Sequence, residues 1–494
     1  MRRKGTVVGL AALVVLLVVG GVLAAWRPGD AGLIVGTVTT DLYPSPLAMD
    51  TRDGRAIIDG ASNGPGAHLY VLDTRTARLV RVRSLPQQPM YFNLGTPLYD
   101  DQTARAFVVT QGNGVGTLTA ISARSGQSTQ ASFTPPNNGQ ANAVAVDERR
   151  GRVFVLSTSG LSTYVSTFDA ASLRLLRTET VSDSALLFGN SSTGTSGTPI
   201  VPDARTGRVF VGHVESNSVG VLDATTGRLL RTTALYPRSN LVQGSYQTVI
   251  PILAARLGRV YVIDQKTGAL TMLDAASGRI LGSTATGPYG WASVVVDEHD
   301  RRLYVFHRNG GASLLDAISG RMLRTLSQPG GPWGLPVVDE RTGRVFFDGF
   351  RGVVRVVDGA SGRLLRTVSL GAGFIRYNHI TVDESSGRIF VASAGFSLTI
   401  GQTRPMPANG SVSVLDGYSG ALLRTIRLDT VPDTVAVDAR NHRALVFNMG
   451  GGTTGAADPW GWIPSSARQR LPFLPRPRTR TAPGSVTVLD TSKL

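Results

Sequence analysis

The chain predicts an all-β fold, a β-propeller of four-stranded blades, on three observations. One phrase recurs along almost its whole length, at a spacing of roughly 40 to 60 residues that is characteristic of radial repeats. Within each repeat Val, Ile, Leu and Phe alternate with period two, which suits half-buried strands, and no apolar run repeats at three and four over the length a helix needs. The runs are separated by Asp- and Gly-containing turns at fixed offsets.

The first half of the phrase reads VDERRGRVFV from Val146, PDARTGRVFV from Pro202, VDEHDRRLYV from Val296, VDERTGRVFF from Val338 and VDESSGRIFV from Val382. The second half reads VLDATTGRLLRT from Val221, LLDAISGRMLRT from Leu314, VVDGASGRLLRT from Val356 and VLDGYSGALLRT from Val414. A compact unit shows four strands in order: PVVD from Pro336, GRVFF from Gly343, GVVRVVD from Gly352 and RLLRTVSL from Arg363. In the D-x-x-[ST]-G-R turns the Asp side chain accepts from backbone N–H groups two residues on, and the Gly takes the positive φ that closes the loop. These Asp and Arg residues are therefore expected to be turn formers and rim charges, not catalysts.

The third-strand Asp gives Asp73, Asp169, Asp223, Asp274, Asp316, Asp358, Asp416 and Asp490, with Ser122 in the same slot. The Arg opening each second strand gives Arg55, Arg105, Arg152, Arg208, Arg259, Arg302, Arg344, Arg388 and Arg443. Both tallies make nine blades; eight is the alternative, since the units around Asp101 and Ala254 are degenerate. Segments such as RVYVID from Arg259, RLYVFH from Arg302, SVSVLD from Ser411 and LLRTIRL from Leu422 resemble the YVTN family of β-propellers over nearly everything after residue 31. The resemblance implies the fold; it says little about function, because such propellers serve as surface proteins, binding scaffolds and occasionally enzymes.

Ahead of the repeats, residues 1–5 form a basic stub and 6–26 an uncharged run ending at Trp26. Twenty such residues rise about 30 Å as a helix, enough to span a bilayer. Arg2, Arg3 and Lys4 place the N-terminus on the cytoplasmic side. The expected product is a single-pass membrane protein with an extracytoplasmic propeller (32–494) after a short linker (27–31). A signal peptide cleaved near Ala24 and Ala25 is the competing reading. The chain has no cysteine, which removes disulfides and thiolate chemistry. Its formal charge of +16 comes mostly from Arg recurring blade after blade, expected to ring the rim and to favour anionic surfaces in general. Nucleic acid is not an expected partner: no recognition-helix or RNA-binding pattern is present.

If the first strand of each unit lines the channel, LIVGTVTT (33–40) is an orphan outer strand that completes the last blade and closes the ring. The loops then divide between two faces. Strand one-to-two and three-to-four loops are short D-x-x-x-G-R turns, and this plain face carries the anchor, so it is expected to sit against the membrane. The other loops hold the insertions at 182–198, 236–247, 393–410 and 448–484, and variable loops on one face of a rigid scaffold are where binding resides.

Candidate ligand-binding residues at the outward channel mouth are Tyr91, Phe92, Asn93, Tyr246, Tyr289, Trp291, Trp333, Tyr377, Asn378 and His379, with Asn142 and Gln247 beside them. Aromatic faces with nearby amides suit stacking on sugars, peptides or planar ligands. The long insertion carries Trp460, Trp462, Arg468, Arg470, Phe473, Arg476, Arg478 and Arg480, an extended basic and aromatic segment suited to a partner protein or an anionic envelope polymer.

Catalytic signals are thin. Gly60-Ala61-Ser62-Asn63-Gly64 has nucleophile-elbow spacing but falls in a hairpin. His213 and His307 follow second strands and are expected to face outward with His379, in three different blades, which argues against a shared metal. Calcium, phosphate-loop and dinucleotide motifs are missing. No cofactor or metal is expected, and the propeller is expected to be monomeric. The leading function is a non-catalytic, membrane-anchored scaffold binding a partner or envelope component on the outward face. The alternative is an enzyme at the channel mouth, either lyase-like with His379 as base or a quinone-dependent dehydrogenase stacking its cofactor on Trp291 or Trp333.

Overall fold

The computed structural model describes residues 32–41, 43–61, 67–85, 99–159, 162–182, 199–213, 218–235, 249–264, 268–286, 293–307, 311–326, 336–348, 352–370, 374–396, 410–428, 430–450 and 483–494. These build nine four-stranded sheets, each antiparallel in its pairings. Of the two blade counts open from the sequence, nine is the one found. Blades 1 to 8 run 43–85, 99–133, 140–182, 200–234, 251–285, 293–326, 337–369 and 374–428. In each, the strands follow in chain order from the channel to the perimeter, and first strands of most successive blades touch. The degenerate units are real blades with weakened first strands: Tyr99–Asp100 is two residues long, and Pro251–Ala254 ends on Ala where other blades end on Asp.

The second and third strands are apolar at nearly every position because both faces are buried. In Arg152–Ser159, Val153 and Val155 pack into the core shared with blade 2, whereas Phe154 and Leu156 pack into the core shared with blade 4. Period two therefore selects the neighbour, not core against solvent. The same division around the molecule gives nine apolar clusters, one at each blade–blade interface. Outer strands such as Leu364–Ser369 are mostly exposed.

Polar ties repeat on top of this packing, on the face of the short turns. In Asp316 one carboxylate oxygen accepts from the Ser319 N–H (2.8 Å) and hydroxyl (2.7 Å), and Gly320 closes the turn at φ +69°. The other oxygen of the same Asp type faces the Arg that opens the second strand, at 3.2 Å for Arg152–Asp169 and 3.3 Å for Arg208–Asp223. That guanidinium also reaches the next blade: Arg152 Nε donates to Thr225 O (3.1 Å), Arg208 Nε to Ala276 O (3.0 Å) and Arg302 Nε to Ala360 O (3.4 Å). In blade 2, where Ser122 occupies the Asp slot, Arg105 Nη1 still donates to Ala171 O at 2.8 Å. The recurrent Arg is thus a clamp between blades as well as a turn partner.

Blade 9 contains Val431–Asp438, Arg443–Met449 and Ser485–Asp490, and its outermost strand is Ile34–Thr39 from the opposite end of the chain. Thr37 opposes Thr487, and Val38 opposes Val486. Dedicated polar contacts join blade 9 to blade 1: Thr74 Oγ1 donates to Asp438 Oδ2 (2.7 Å), Arg75 Nε to Asn441 Oδ1 (2.8 Å) and Asn441 Nδ2 to Thr51 O (2.8 Å). Lys493 Nζ holds Gly32 O at 2.7 Å, so the chain enters the ring on the short-turn face. Among the described residues no helix is long and apolar enough to cross a membrane; the run 6–26 lies outside them.

Two predictions follow from these ties. Hydrogen bonds from Ser172 hold the Asp169 carboxyl below the usual range, and those from Ser319 do the same for Asp316. A depressed carboxylate contributes stability that is complete above its unfolded value, about 3.9, and lost as pH falls through the lower folded value. Melts should therefore show a steep acid loss below about pH 4 from these groups, and Asp316→Asn should cost about 1–2 kcal/mol at pH 7 while removing its share of the acid slope. Deleting residues 33–40 bares an edge in blade 9 and should produce aggregation; an unchanged melting temperature in scanning calorimetry would mean that the closing strand is dispensable.

Candidate functional site on the elaborated face

The strand one-to-two turns of all nine blades and the three-to-four turns of blades 1 to 8 lie on one face and are described. On the other face most connections fall outside the described residues, and with them Tyr91, Phe92, Asn93, Tyr246, Gln247, Tyr289, Trp291, Trp333, Ser62 and the segment carrying Trp460, Trp462, Arg468, Arg470, Phe473, Arg476, Arg478 and Arg480. Tyr377 and Asn378 belong to the first strand of blade 8, Phe374–Asp383, where the register shifts between Ile375 and Asn378. Their side chains lie outside the described residues. His379 is half-buried, its Nδ1 3.4 Å from Thr381 Oγ1, and burial pushes its pKa down to about 4.

Asn142 departs from its expected place at the mouth. It sits at a bulge between Ala141 and Ala143, is 2% exposed, and donates from Nδ2 to Thr158 Oγ1 at 2.7 Å. The expectation that His213 and His307 face outward is also corrected. His213 ends the second strand of blade 4 and His307 follows that of blade 6, and both are buried. His307 Nε2 lies 3.0 Å from Ser313 Oγ, whereas neither ring nitrogen of His213 has a hydrogen-bond partner. His213 packs in the blade 3–4 interface beside Gly220, where a Cβ would come within 2.3 Å of Val181 and 3.0 Å of the imidazole.

An open cleft of about 460 Å³ lies on the elaborated face between blades 2 and 3, lined by Gln111, Gly112, Asn113, Gly114, Asn138 and Gln140. One wall is the tight turn of the hairpin Arg105–Gly112 and Val115–Ser122, in which Asn113 and Gly114 both take positive φ, +52° and +79°. Asn and Gly are the residues that accept this conformation readily. The other wall is the turn Pro136–Asn138, where Asn137 and Asn138 are also left-handed. Gln111 cross-links the two walls: Nε2 donates to Gly139 O (2.6 Å), and Oε1 accepts from Ala141 N. Asn137 Nδ2 donates to Tyr164 OH at 2.7 Å, while Ser159 Oγ donates to Asn137 O at 2.6 Å. Asn113, Asn138 and Gln140 are left exposed on this braced frame. The lining is uncharged, and amides both donate and accept, so the cleft suits a neutral ligand rich in hydroxyls or peptide groups. The sequence reading missed it; its one signal was the Asn-Gly pair at 113–114.

A second polar group on this face lies where the closing strand turns into blade 1. Asp41 Oδ2 is 2.8 Å from His68 Nδ1, and burial, reinforced by the Asp41 charge, pushes the Tyr70 phenol up to about 12. Gly60 makes the arrangement possible, since a Cβ there would meet Asp41 Oδ2 at 2.9 Å and Tyr70 at 2.7 Å. At the opposite face Arg256 stands between Glu298 (3.7 Å) and Glu340, linking blades 5, 6 and 7. Among the described residues no three His, Asp or Glu side chains are grouped to hold a metal ion.

No family model and no curated protein sequence matches the chain. Solved structures do resemble it. BamB from Moraxella catarrhalis aligns at 17% identity over 72% of this chain and 96% of its own, with a TM-score of 0.47. Sqt1 from Saccharomyces cerevisiae aligns at 12% identity over 81% and 99%, with a TM-score of 0.49, and the dihydro-heme d1 dehydrogenase NirN in complex with DHE at 11% over 79% and 78%, with a TM-score of 0.49. At these scores the likenesses add nothing to the nine-bladed topology of the chain itself.

Desolvation drives the pKa of His213 down to about 4, so the folded protein keeps it neutral. The unfolded chain binds that proton near pH 6.5. Stability from this group is therefore complete above about pH 6.5 and falls as pH drops toward 4, by on the order of 3 kcal/mol in the limit. Thermal melts from pH 7 to pH 4 should show this loss, and His213→Met should flatten the curve. A parallel pH dependence in the variant would refute the assignment.

Proposed function

We propose that this protein is a non-catalytic binding scaffold, held at the membrane by its N-terminal segment, that engages a partner protein or an envelope component on its elaborated face. The observation that carries the reading is the asymmetry of the two faces. Most of the short turns are committed to carboxylate–N–H bonds and inter-blade clamps, which leaves the other end of the ring for loops that can vary without loosening it. The braced amide cleft between blades 2 and 3 supplies a site there, with the amides of Asn113 and Asn138 exposed on a frame that does not need to reorganise. The entry of the chain beside Lys493 supports placing the short-turn face toward the membrane. The YVTN-type repeat phrase fits a surface propeller of this kind. The enzyme alternative rests on His379 and the Trp residues; spectra of purified protein test its quinone form, because a bound quinone absorbs in the visible.

The anchor is tested by fractionation: the full chain should stay with membranes through carbonate extraction, and a released protein beginning near Trp26 would remove it. Binding is tested with glycan and peptide arrays. Asn113→Gly with Asn138→Gly preserves the left-handed backbone and deletes two amides, and should weaken binding about five- to 100-fold. Trp291→Ala with Trp333→Ala should do at least as much if stacking at the mouth contributes. Unaltered affinity in both pairs, with loss on Arg344→Ala in the opposite face, would place the functional face at the other end of the ring.

A further inference from the structure

We infer that the outer wall of blades 6–8 is a docking surface for a flexible linear polyanion bearing phosphate groups along its backbone. This surface is separate from the elaborated face. The outer strands Met322–Leu326, Leu364–Ser369 and Leu422–Leu428, with the turns before them, present Arg321, Arg324, Arg363, Arg366 and Arg427 to solvent. No acidic residue occurs in 317–328, 359–370 or 417–428. The carboxylates that open these turns are already engaged. Asp316, Asp358 and Asp416 each accept from the Ser three residues on, and each pairs with its own second-strand Arg: Arg302, Arg344 or Arg388.

The cations form one ladder because each turn lies against the preceding blade. Arg324 Nη1 donates to Ser361 O at 3.1 Å, two residues before Arg363. A Cβ on Gly362 would meet Leu326 at 2.9 Å, and one on Gly420 would meet Val356 at 2.7 Å. Elsewhere such runs are shorter: blade 1 presents Arg78 and Arg81 on an equally acid-free strand but stands between two uncharged outer strands, and blade 5 presents Arg279 alone. In blade 3 Glu179 pairs with Arg177 at 2.7 Å and accepts from Leu229 N at 3.2 Å. The outer strands of blades 2 and 9, Ser128–Phe133 and Ile34–Thr39, carry no charge. The ring of Arg expected from the sequence is thus broken into arcs, and the one over blades 6–8 carries five exposed Arg across three successive blades with no acidic residue among them.

Three features identify the occupant. Every cation is Arg, whose planar fork binds phosphate oxygens in pairs. Charges along an outermost strand oppose pairing with another strand, which disfavours a peptide or a second copy. The wall is the convex rim of a closed ring, so a flexible chain can follow it, a bilayer touches it along a line, and duplex DNA, with a persistence length of about 50 nm, bends poorly onto it.

The probe is long-chain inorganic polyphosphate, with the full chain in detergent, titrated at low and moderate salt. Five phosphate contacts predict an affinity that falls about 10²-fold between roughly 50 and 200 mM salt. The variant R321Q/R324Q/R363Q/R366Q/R427Q should bind at least about tenfold more weakly at low salt and lose most of the salt slope. The charge-matched variant R78Q/R81Q/R174Q/R228Q/R231Q should stay within about threefold of the native chain, and both should match its melting temperature. Equal losses in the two variants, or none in the first, overturn the inference. So does equally tight, equally Arg-dependent binding to phosphatidylglycerol vesicles or to duplex DNA, which would assign the wall to a membrane or a nucleic acid. Because both variants leave the amide cleft intact, failure here does not bear on ligand binding at the elaborated face.

Discussion

Burial of both faces of every blade against its neighbours is the constraint on which the rest of this structure depends. A single four-stranded sheet with Val, Phe and Leu on both sides cannot persist in water. Each blade is stable only between two others, and nine clusters at nine interfaces satisfy that requirement around the circle. The ring must then close, and at the junction of blades 9 and 1 the chain supplies a strand from its other end together with Thr74, Arg75 and Asn441, contacts that adapt a repeat to a position where the connection is no longer sequential.

Charge is sorted by the same geometry. Carboxylates lie where turns need acceptors, at the ends of first and third strands, and most first-strand Asp residues are almost fully buried. Their negative charge is absorbed by backbone N–H groups and by the Arg clamp. The positive excess is left on the outer strands, where it discourages edge pairing and, over blades 6–8, accumulates without compensation. Packing thereby leaves the perimeter open to solvent, as it does the amide cleft between blades 2 and 3.

The candidate site was only partly legible beforehand. Asn142 looked like its aromatic and amide neighbours in sequence, yet a bulge in the first strand turns it into the interior, where Thr158 satisfies it. His213 and His307 sit one residue beyond an apolar run, which reads as exposure; the adjacent blades extend past them and bury both. The amide cleft combines a hairpin of blade 2 with a turn that leads into blade 3, and no local pattern reports that Gln111 will hold the two together. Asp41 and His68 meet for a related reason: one follows the closing strand, the other starts the third strand of blade 1, and only closure brings them to 2.8 Å.

What the sequence by itself determined is whatever repeats: four strands per unit, the Asp–Gly turns, and the slots for Arg and Asp, because local hydrogen bonding and period-two alternation act within a few residues of each other. The tertiary structure decided which neighbour each side chain faces, where the Arg clamps reach across blades, which polar groups are buried, and where uncompensated charge collects. These depend on the next blade arriving at a fixed angle, through contacts separated by dozens to hundreds of residues, and a repeat phrase carries no record of the differences between one interface and the next.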